Sequence, residues 1–184
     1  MATRFDRPVS ASSRSGSEER IMAWVAYLEM TAPSKMRRIS PPELPLSITR
    51  ERLAVKEYLQ LFRLVGDRVQ WDIRTKRPEA EVAQLIDGLI ILVLRVGGIA
   101  RGLCESRQQS DRELELLFFG IDAKLEGQGL GRYFLSECLK TSWASWPGRI
   151  WLRTDEFDSP KALPLYLSAG FSLFDKRYED ITDD

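Results

Sequence analysis

Residues 113–132 read ELELLFFGIDAKLEGQGLGR, and this stretch decides the fold. Its first part, Glu113–Ile121, alternates polar and apolar residues and then becomes continuously apolar, which predicts a central β-strand. The run EGQGLGR over 126–132 carries three glycines at alternate positions, which let a backbone approach a ligand closely. An amphipathic helix is predicted over Arg132–Trp143. Because the first turn of a helix presents unpaired N–H groups and the positive end of its dipole, this order predicts an anion site.

The residues around the loop narrow the choice of anion. A Walker-type nucleotide loop ends in Gly-Lys-Ser/Thr, whereas this chain has Gly131-Arg132-Tyr133, so that class is excluded. The dinucleotide-binding motif G-x-G-x-x-G needs a third glycine, which permits close packing of the helix against the strand. This chain has Arg132 or Phe134 at that position. Asp155 after the next strand resembles the ribose-binding acid of that class, so the alternative stays open. The pyrophosphate of coenzyme A and a glycine turn that only packs a helix are the other interpretations.

Composition limits the classes of function. The 184 residues suit one domain with a short appendage, and 27 basic residues balance 27 acidic ones, which predicts no nucleic-acid partner. The chain has no histidine, so any mechanism with a His base is excluded and a zinc site is not expected. Cys104 and Cys138 match no metal-ligand spacing and are predicted to be free, buried or half-buried thiols.

The ends and the apolar runs of the sequence predict a soluble cytoplasmic protein with no membrane partner. No apolar run approaches the roughly 20 residues of a membrane span. Residues 1–20 are Ser- and Arg-rich, which predicts a disordered N-terminal tail, and residues 21–184 form the single domain.

Periodicity and turn residues place the remaining elements. Ile21–Met30 is predicted as a strand or short helix, and Ser106–Asp111 as a loop. The other predicted helices are Ala54–Val65, Pro78–Ile86 and Pro160–Ala169, the last capped by Asp158 or Ser159. The other predicted strands are Leu46–Thr49, Leu89–Val96, Ile99–Glu105, Arg149–Thr154 and Phe171–Lys176. This order predicts an α+β (α/β-like) fold with helices on both faces of one sheet.

Two ordered motifs resemble the GNAT superfamily of acyltransferases. The family motif Arg/Gln-x-x-Gly-x-Gly/Ala is similar to the run from Glu126 to Gly131, with an acid at its first position. A second block matches at Ala162, Leu165-Tyr166 and Gly170-Phe171. The resemblance covers 113–174 closely and 46–105 more loosely. Residues 115–120 and 154–160 further resemble a bacterial subgroup without an assigned substrate.

The resemblance implies a GNAT fold: a mixed, mostly antiparallel sheet flanked by helices and splayed at its central strand. It implies N-acetyltransfer from acetyl-CoA, as co-substrate, to a primary amine by direct attack in a ternary complex, with no metal. The acceptor would be a small molecule or a peptide, and a homodimer is one expected assembly. The implied acetyl-CoA-binding residues are Phe119, Gly120, Ile121, Glu126, Gly127, Gln128, Gly129, Leu130, Gly131, Arg132 and Ser159.

Two catalytic residues follow from the resemblance. Glu115 matches the strand position of the catalytic base, and Tyr166 matches the tyrosine that protonates the departing thiolate. The alternatives are a solvent-facing or Arg-bound Glu115 and a core Tyr166, with Glu113 as a second base. Glu126 fits a pyrophosphate site poorly, which keeps a second hypothesis open: a GNAT-fold module that binds acyl-CoA with little catalysis.

Overall fold

The computed structural model describes residues 20–182 except residues 38, 70, 146 and 147. The predicted tail lies outside the described residues except for Arg20. The strands are β1 (Met22–Met30), β2 (Leu46–Arg50), β3 (Ile90–Val96), β4 (Ile99–Ser110), β5 (Glu113–Ile121), β6 (Arg149–Asp155) and β7 (Ser172–Asp180). The α-helices are α1 (Val55–Gly66), α2 (Glu79–Asp87), α3 (Leu130–Ser145) and α4 (Ala162–Ala169).

One seven-stranded sheet has the order β2-β3-β4-β5-β6-β1-β7. Within the described part of the chain, β5 and β6 are the only parallel neighbours, and the other pairs are antiparallel. The predicted α+β class with a mixed, mostly antiparallel sheet is therefore confirmed. A dinucleotide-binding domain requires an open, mostly parallel sheet, so this topology removes that alternative.

The first strand of the chain lies inside the sheet. β1 pairs antiparallel with β6 from Val25↔Asp155 to Met30↔Ile150, and with β7 on its other edge. Periodicity left open whether Ile21–Met30 forms a strand or a short helix. It forms a strand, because both edges of β1 pair with strands that come late in the sequence.

Helices cover both faces of the sheet, as predicted. On the first face, α3 and α4 pack over a core that includes Leu28, Leu116 and Phe134. On the second face, α1 and α2 pack over β3 and β4 around Phe62 and Leu103. Cys104 and Cys138 are buried free thiols, as predicted.

A bulge in β5 changes which residues face each layer. Glu105 of β4 pairs with Phe118 and the next residue, Ser106, pairs with Leu116, so Leu117 is an extra residue in β5. Before it, Leu116 faces the first core; after it, Phe118 belongs to the second core and Phe119 to the first. One inserted residue reverses the alternation of a strand in this way.

Pairing between β5 and β6 stops at the same point. The parallel register runs from Glu113↔Arg149 to Leu116↔Leu152, although β5 continues to Ile121 and β6 to Asp155. The two strands therefore separate beyond Leu116 and open a cleft between their carboxyl ends. This is the splay that the family resemblance predicts.

Several predicted boundaries are wrong: β7 continues to Asp180 rather than ending at Lys176, and α3 begins at Leu130 rather than Arg132. The predicted loop at Ser106–Asp111 is strand as far as Ser110, because the backbone still pairs with β5 where the side chains become polar and exposed. Helix α4 begins at Ala162 rather than Pro160, and its N-cap is Lys161, which makes no side-chain capping bond.

No helix among the described residues is long and apolar enough to cross a membrane.

The interior position of β1, which is paired on both edges, makes its core side chain important for stability. We expect Leu28→Ala, at a side chain that is 0% exposed, to lower the free energy of unfolding by about 3 kcal/mol. Trp24→Ala in the same strand, at a side chain that is 49% exposed, should cost about 1 kcal/mol or less. Urea unfolding of both variants measures this, and equal losses would contradict a core position for β1.

Candidate active site

The glycine-rich loop lies at the open end of the cleft. Gly127 and Gly129 have φ of +82° and +77°, values that glycine adopts readily, and both are exposed. Leu130 begins α3 and is 1% exposed, so it anchors the loop in the first core. Gly131 is inside the helix, where an added Cβ would make an ordinary 3.8 Å contact with Ile121.

The backbone of this loop is open to a ligand. None of the N–H groups of residues 127–132 has a hydrogen-bond acceptor among the described residues, and the first helical bond is donated by Tyr133 to the carbonyl of Gly129. Six consecutive free donors at a helix N-terminus bind phosphate or pyrophosphate well. The Arg132 side chain is exposed and lines a shallow groove between α3 and α4 with Leu165.

Asp122 holds the turn that joins β5 to the loop. It is 3% exposed, its Oδ1 accepts from the N–H of Lys124 at 3.0 Å, and its Oδ2 accepts from Arg101 at 2.7 Å. The position of the loop is therefore set by the end of β5.

Glu126, the residue that departs from the family motif, is ion-paired. Its Oε2 lies 2.6 Å from Lys161 Nζ, and its Oε1 lies 3.8 Å from Arg68 Nη1. The Glu126 carboxylate therefore holds two cationic side chains beside the glycine-rich loop.

Tyr166 lies on the first face beside the cleft. Its ring centroid is 6.5 Å from that of Phe119 and 6.0 Å from that of Phe171, and 7% of the residue is exposed. Burial, and then the negative charge of Asp158, raise the pKa of its phenol. No hydrogen-bond partner for its hydroxyl occurs in the described structure, whereas a purely structural buried tyrosine usually has one. The hydroxyl is therefore protonated at neutral pH and available to a ligand.

The two candidate bases both lie before the bulge, where β5 is still paired to β6. The Glu115 carboxylate is 7% exposed and accepts from Arg107 Nη2 at 3.2 Å and from Gln109. Glu113 is more exposed and accepts from Arg149 Nη1 at 3.0 Å. The Arg-bound alternative for Glu115 is thus the arrangement that the structure contains.

Beyond the bulge, three of the predicted acetyl-CoA-binding residues have different surroundings. Phe119 is buried against Phe134, with ring centroids 5.2 Å apart, and Ile121 packs beside it at the edge of the first core. Gly120 faces the other layer, where atoms of Val65 and Trp71 lie 3.4 Å from the position of an added Cβ. The space above Gly120 on the second face is therefore filled by the indole of Trp71.

Ser159, the remaining predicted acetyl-CoA-binding residue, and three tryptophans of the chain are less central to the cleft. Ser159 precedes α4, and its Oγ accepts from the N–H of Lys161 at 3.3 Å. Trp143 is buried and contacts Met30, away from the second face, and Trp146 lies outside the described residues. Trp151 is half-buried, and its Nε1 has no hydrogen-bond partner among the described residues.

Sequence reasoning missed a buried polar cluster on the second face. Glu105 is 0% exposed; Tyr58 donates to its Oε1 at 2.5 Å and Arg74 to its Oε2 at 3.4 Å. Burial raises the pKa of Glu105, although Arg74 and Tyr58 oppose the shift. The Arg74 guanidinium also lies 5.3 Å from the ring centroid of Phe118, so the cluster fixes the segment around Trp71 against the sheet. The sequence signal for this cluster was a single acidic residue, Glu105, at the end of a predicted strand.

Comparisons with known proteins identify the fold. No family model and no curated protein sequence matches this chain. A GCN5-related N-acetyltransferase from Sphaerobacter thermophilus has a similar structure, with a TM-score of 0.69 and 13% identity over 88% of this chain. A tandem GNAT protein of the clavulanic acid biosynthesis pathway has a TM-score of 0.60 and 10% identity over 88% of this chain. The chain spans 53% and 55% of these two proteins, about half of their length.

A third structure was solved with a ligand. A GNAT family acetyltransferase from Elizabethkingia anophelis, with acetyl-CoA bound, has a TM-score of 0.56 and 15% identity; the match covers 71% of this chain and 78% of that protein. The chain therefore has the GNAT fold, as the two sequence motifs predicted. In the part of the chain that the structure describes, no group of three or more His, Cys, Asp or Glu is arranged to hold a metal ion.

The glycines of the loop differ in their tolerance of a side chain. We expect Gly129→Ala to lower the free energy of unfolding by about 1–2 kcal/mol, because its φ of +77° disfavours a Cβ. Gly131→Ala should be neutral or stabilise by about 0.5–1 kcal/mol, since it replaces a helical glycine without a close contact. Urea unfolding compares them; a loss at Gly131 as large as that at Gly129 would contradict the loop geometry.

Proposed function

We propose that the protein is an N-acetyltransferase that moves an acetyl group from acetyl-CoA to a primary amine by direct attack in a ternary complex. The observation that carries the proposal is the row of free N–H groups over residues 127–132 at the open end of a cleft between two splayed parallel strands. A phosphate-bearing ligand held by this row would extend its thioester arm along β5 into the cleft. The GNAT fold of the chain and the acetyl-CoA bound to the Elizabethkingia protein support the same ligand.

The residues beyond the bulge are suited to hold and polarise the thioester. Because β5 is not paired to β6 after Leu116, backbone groups of residues 117–121 on that edge are available to the arm of the ligand. A backbone N–H there would stabilise the negative charge that develops on the carbonyl oxygen as the amine attacks.

Two side chains would move the protons. As the amine nitrogen bonds to the carbonyl carbon and the C–S bond breaks, Tyr166 donates its proton to the departing sulfur. Glu115, which is held in place by Arg107 and Gln109, accepts the proton of the ammonium, directly or through water. Glu113 is the alternative base, and its acidic side chain on the same face would attract a cationic acceptor.

A second candidate function is an acyl-CoA-binding module with little catalysis. Two observations favour it: the Glu115 carboxylate is already engaged by Arg107 and Gln109, and Trp71 fills the space above Gly120. Both functions require acetyl-CoA binding, and only the enzyme requires Tyr166 to react.

Binding and turnover test the proposal separately. We expect acetyl-CoA, and not NAD, to raise the melting temperature of the protein, because binding to the native state alone is stabilising. An increase in free thiol from acetyl-CoA with one or more members of a panel of primary amines would then establish transfer. No stabilisation at millimolar acetyl-CoA would refute the assignment, and stabilisation without thiol release would favour the binding module.

Tyr166→Phe separates proton donation from ligand binding. We expect turnover with the best amine of the panel to fall about 100-fold, the lower end of what general acid catalysis contributes, with an unchanged Kd for acetyl-CoA. Tyr178→Phe is the matched control, because that tyrosine is 56% exposed on β7. Unchanged turnover in Tyr166→Phe would remove this residue from the mechanism.

A further inference from the structure

An ion pair crosses the open end of the cleft. Glu126 lies in the segment that follows β5, and Lys161 lies in the segment that follows β6, directly before α4. Their charged atoms are 2.6 Å apart. Because β5 and β6 separate beyond Leu116, this contact joins the two sides of the cleft immediately next to Gly127.

A third charged group reaches the same carboxylate from the other layer. Arg68 follows α1, and its Nη1 lies 3.8 Å from Glu126 Oε1. The side chains of Arg68 and Lys161 are 66% and 73% exposed, and that of Glu126 is 32% exposed. Two exposed cations are thus held at the end of the cleft by one less exposed anion.

We propose, on the basis of the function proposed above, that Lys161 is a phosphate-binding residue of the coenzyme A site and that Glu126 occupies the place of a phosphate until the ligand binds. Apart from Arg132 at its end, the glycine loop supplies only neutral N–H donors, and the motif position before it carries an acid instead of a basic or amide residue. Lys161 supplies a cation beside that acid from a different element. Arg68, at the longer distance, is a weaker second cation.

The exposure of the pair makes this exchange feasible. Solvent-exposed ion pairs are weak and are screened by salt. A phosphate carries more negative charge than a carboxylate and would be held by the loop N–H groups as well, so it outcompetes Glu126 for Lys161. The net charge of Lys161, Arg68 and Glu126 together is also positive, which attracts an anionic ligand.

Isothermal titration with three ligands tests the proposal. Coenzyme A, its 3′-dephospho form and pantetheine are titrated into the wild type and the Lys161→Gln variant at low salt. We expect Lys161→Gln to weaken coenzyme A about tenfold, the loss of one charge-assisted contact, and to leave pantetheine unchanged. The dephospho form identifies the phosphate: an equal loss with it assigns Lys161 to the pyrophosphate, and a smaller loss assigns it to the 3′-phosphate.

A matched control separates this effect from a change in surface charge. Lys140 pairs with Glu137 on the surface of α3 and lies outside the cleft, so Lys140→Gln should bind all three ligands as the wild type does. Unchanged coenzyme A affinity in Lys161→Gln, or an equal loss for pantetheine, would overturn the proposal.

The role of Glu126 is tested through its coupling to Lys161. We expect Glu126→Gln to bind coenzyme A about threefold more tightly, because the competing carboxylate is removed. In the Lys161→Gln background, the same change should have no effect. Equal or weaker binding by Glu126→Gln, or an identical gain in both backgrounds, would overturn its assignment as a competitor. Failure of the wild type to bind coenzyme A would instead refute the proposed function, which keeps the two failures distinguishable.

Discussion

One inserted residue in β5, Leu117, is the constraint on which the rest of the site depends. It reverses the alternation of the strand, so that Phe119 rather than Phe118 faces the layer that contains Tyr166. It also coincides with the last paired position between β5 and β6. A regular β5 would remain bonded to β6 along its length and would close the cleft into which the glycine-rich loop opens.

The part of the site that is local in sequence could be predicted. The bounds of Glu113–Ile121 follow from its apolar pattern and agree with the observed strand. The loop at 126–132 is predictable because backbone positions with positive φ favour glycine, and the glycines directly precede the start of a helix. Tyr166 and Gly170-Phe171 needed the family resemblance, since an isolated tyrosine in an apolar helix has no pattern of its own. Gly170 has φ of +111° at the end of α4, which agrees with the predicted end of that helix at Ala169 and with the preference for glycine directly after a helix.

The features that the sequence did not predict all depend on contacts between distant residues. The polar run at Ser106–Ser110 indicated a loop, but backbone pairing to β5 does not depend on side-chain polarity. The bulge at Leu117 lies in a run of apolar residues that conceals the change of face. The ion pair of Glu126 was not predicted, because its partner Lys161 is 35 positions away in the sequence. The raised pKa of Glu105 likewise depends on helix α1 covering it, which no local pattern reveals.

The place of β1 between β6 and β7 also determines how the chain can fold. Tyr27 bonds to Glu179 across 152 positions of sequence, so two neighbouring strands of the sheet come from the two ends of the domain. Closing so long a loop carries an entropic cost before any contact compensates it, and such topologies fold slowly. During synthesis, β1 leaves the ribosome before the other strands of the sheet and remains without its partners until β6 and β7 have followed. Its apolar residues are therefore exposed to aggregation while the rest of the sheet is translated.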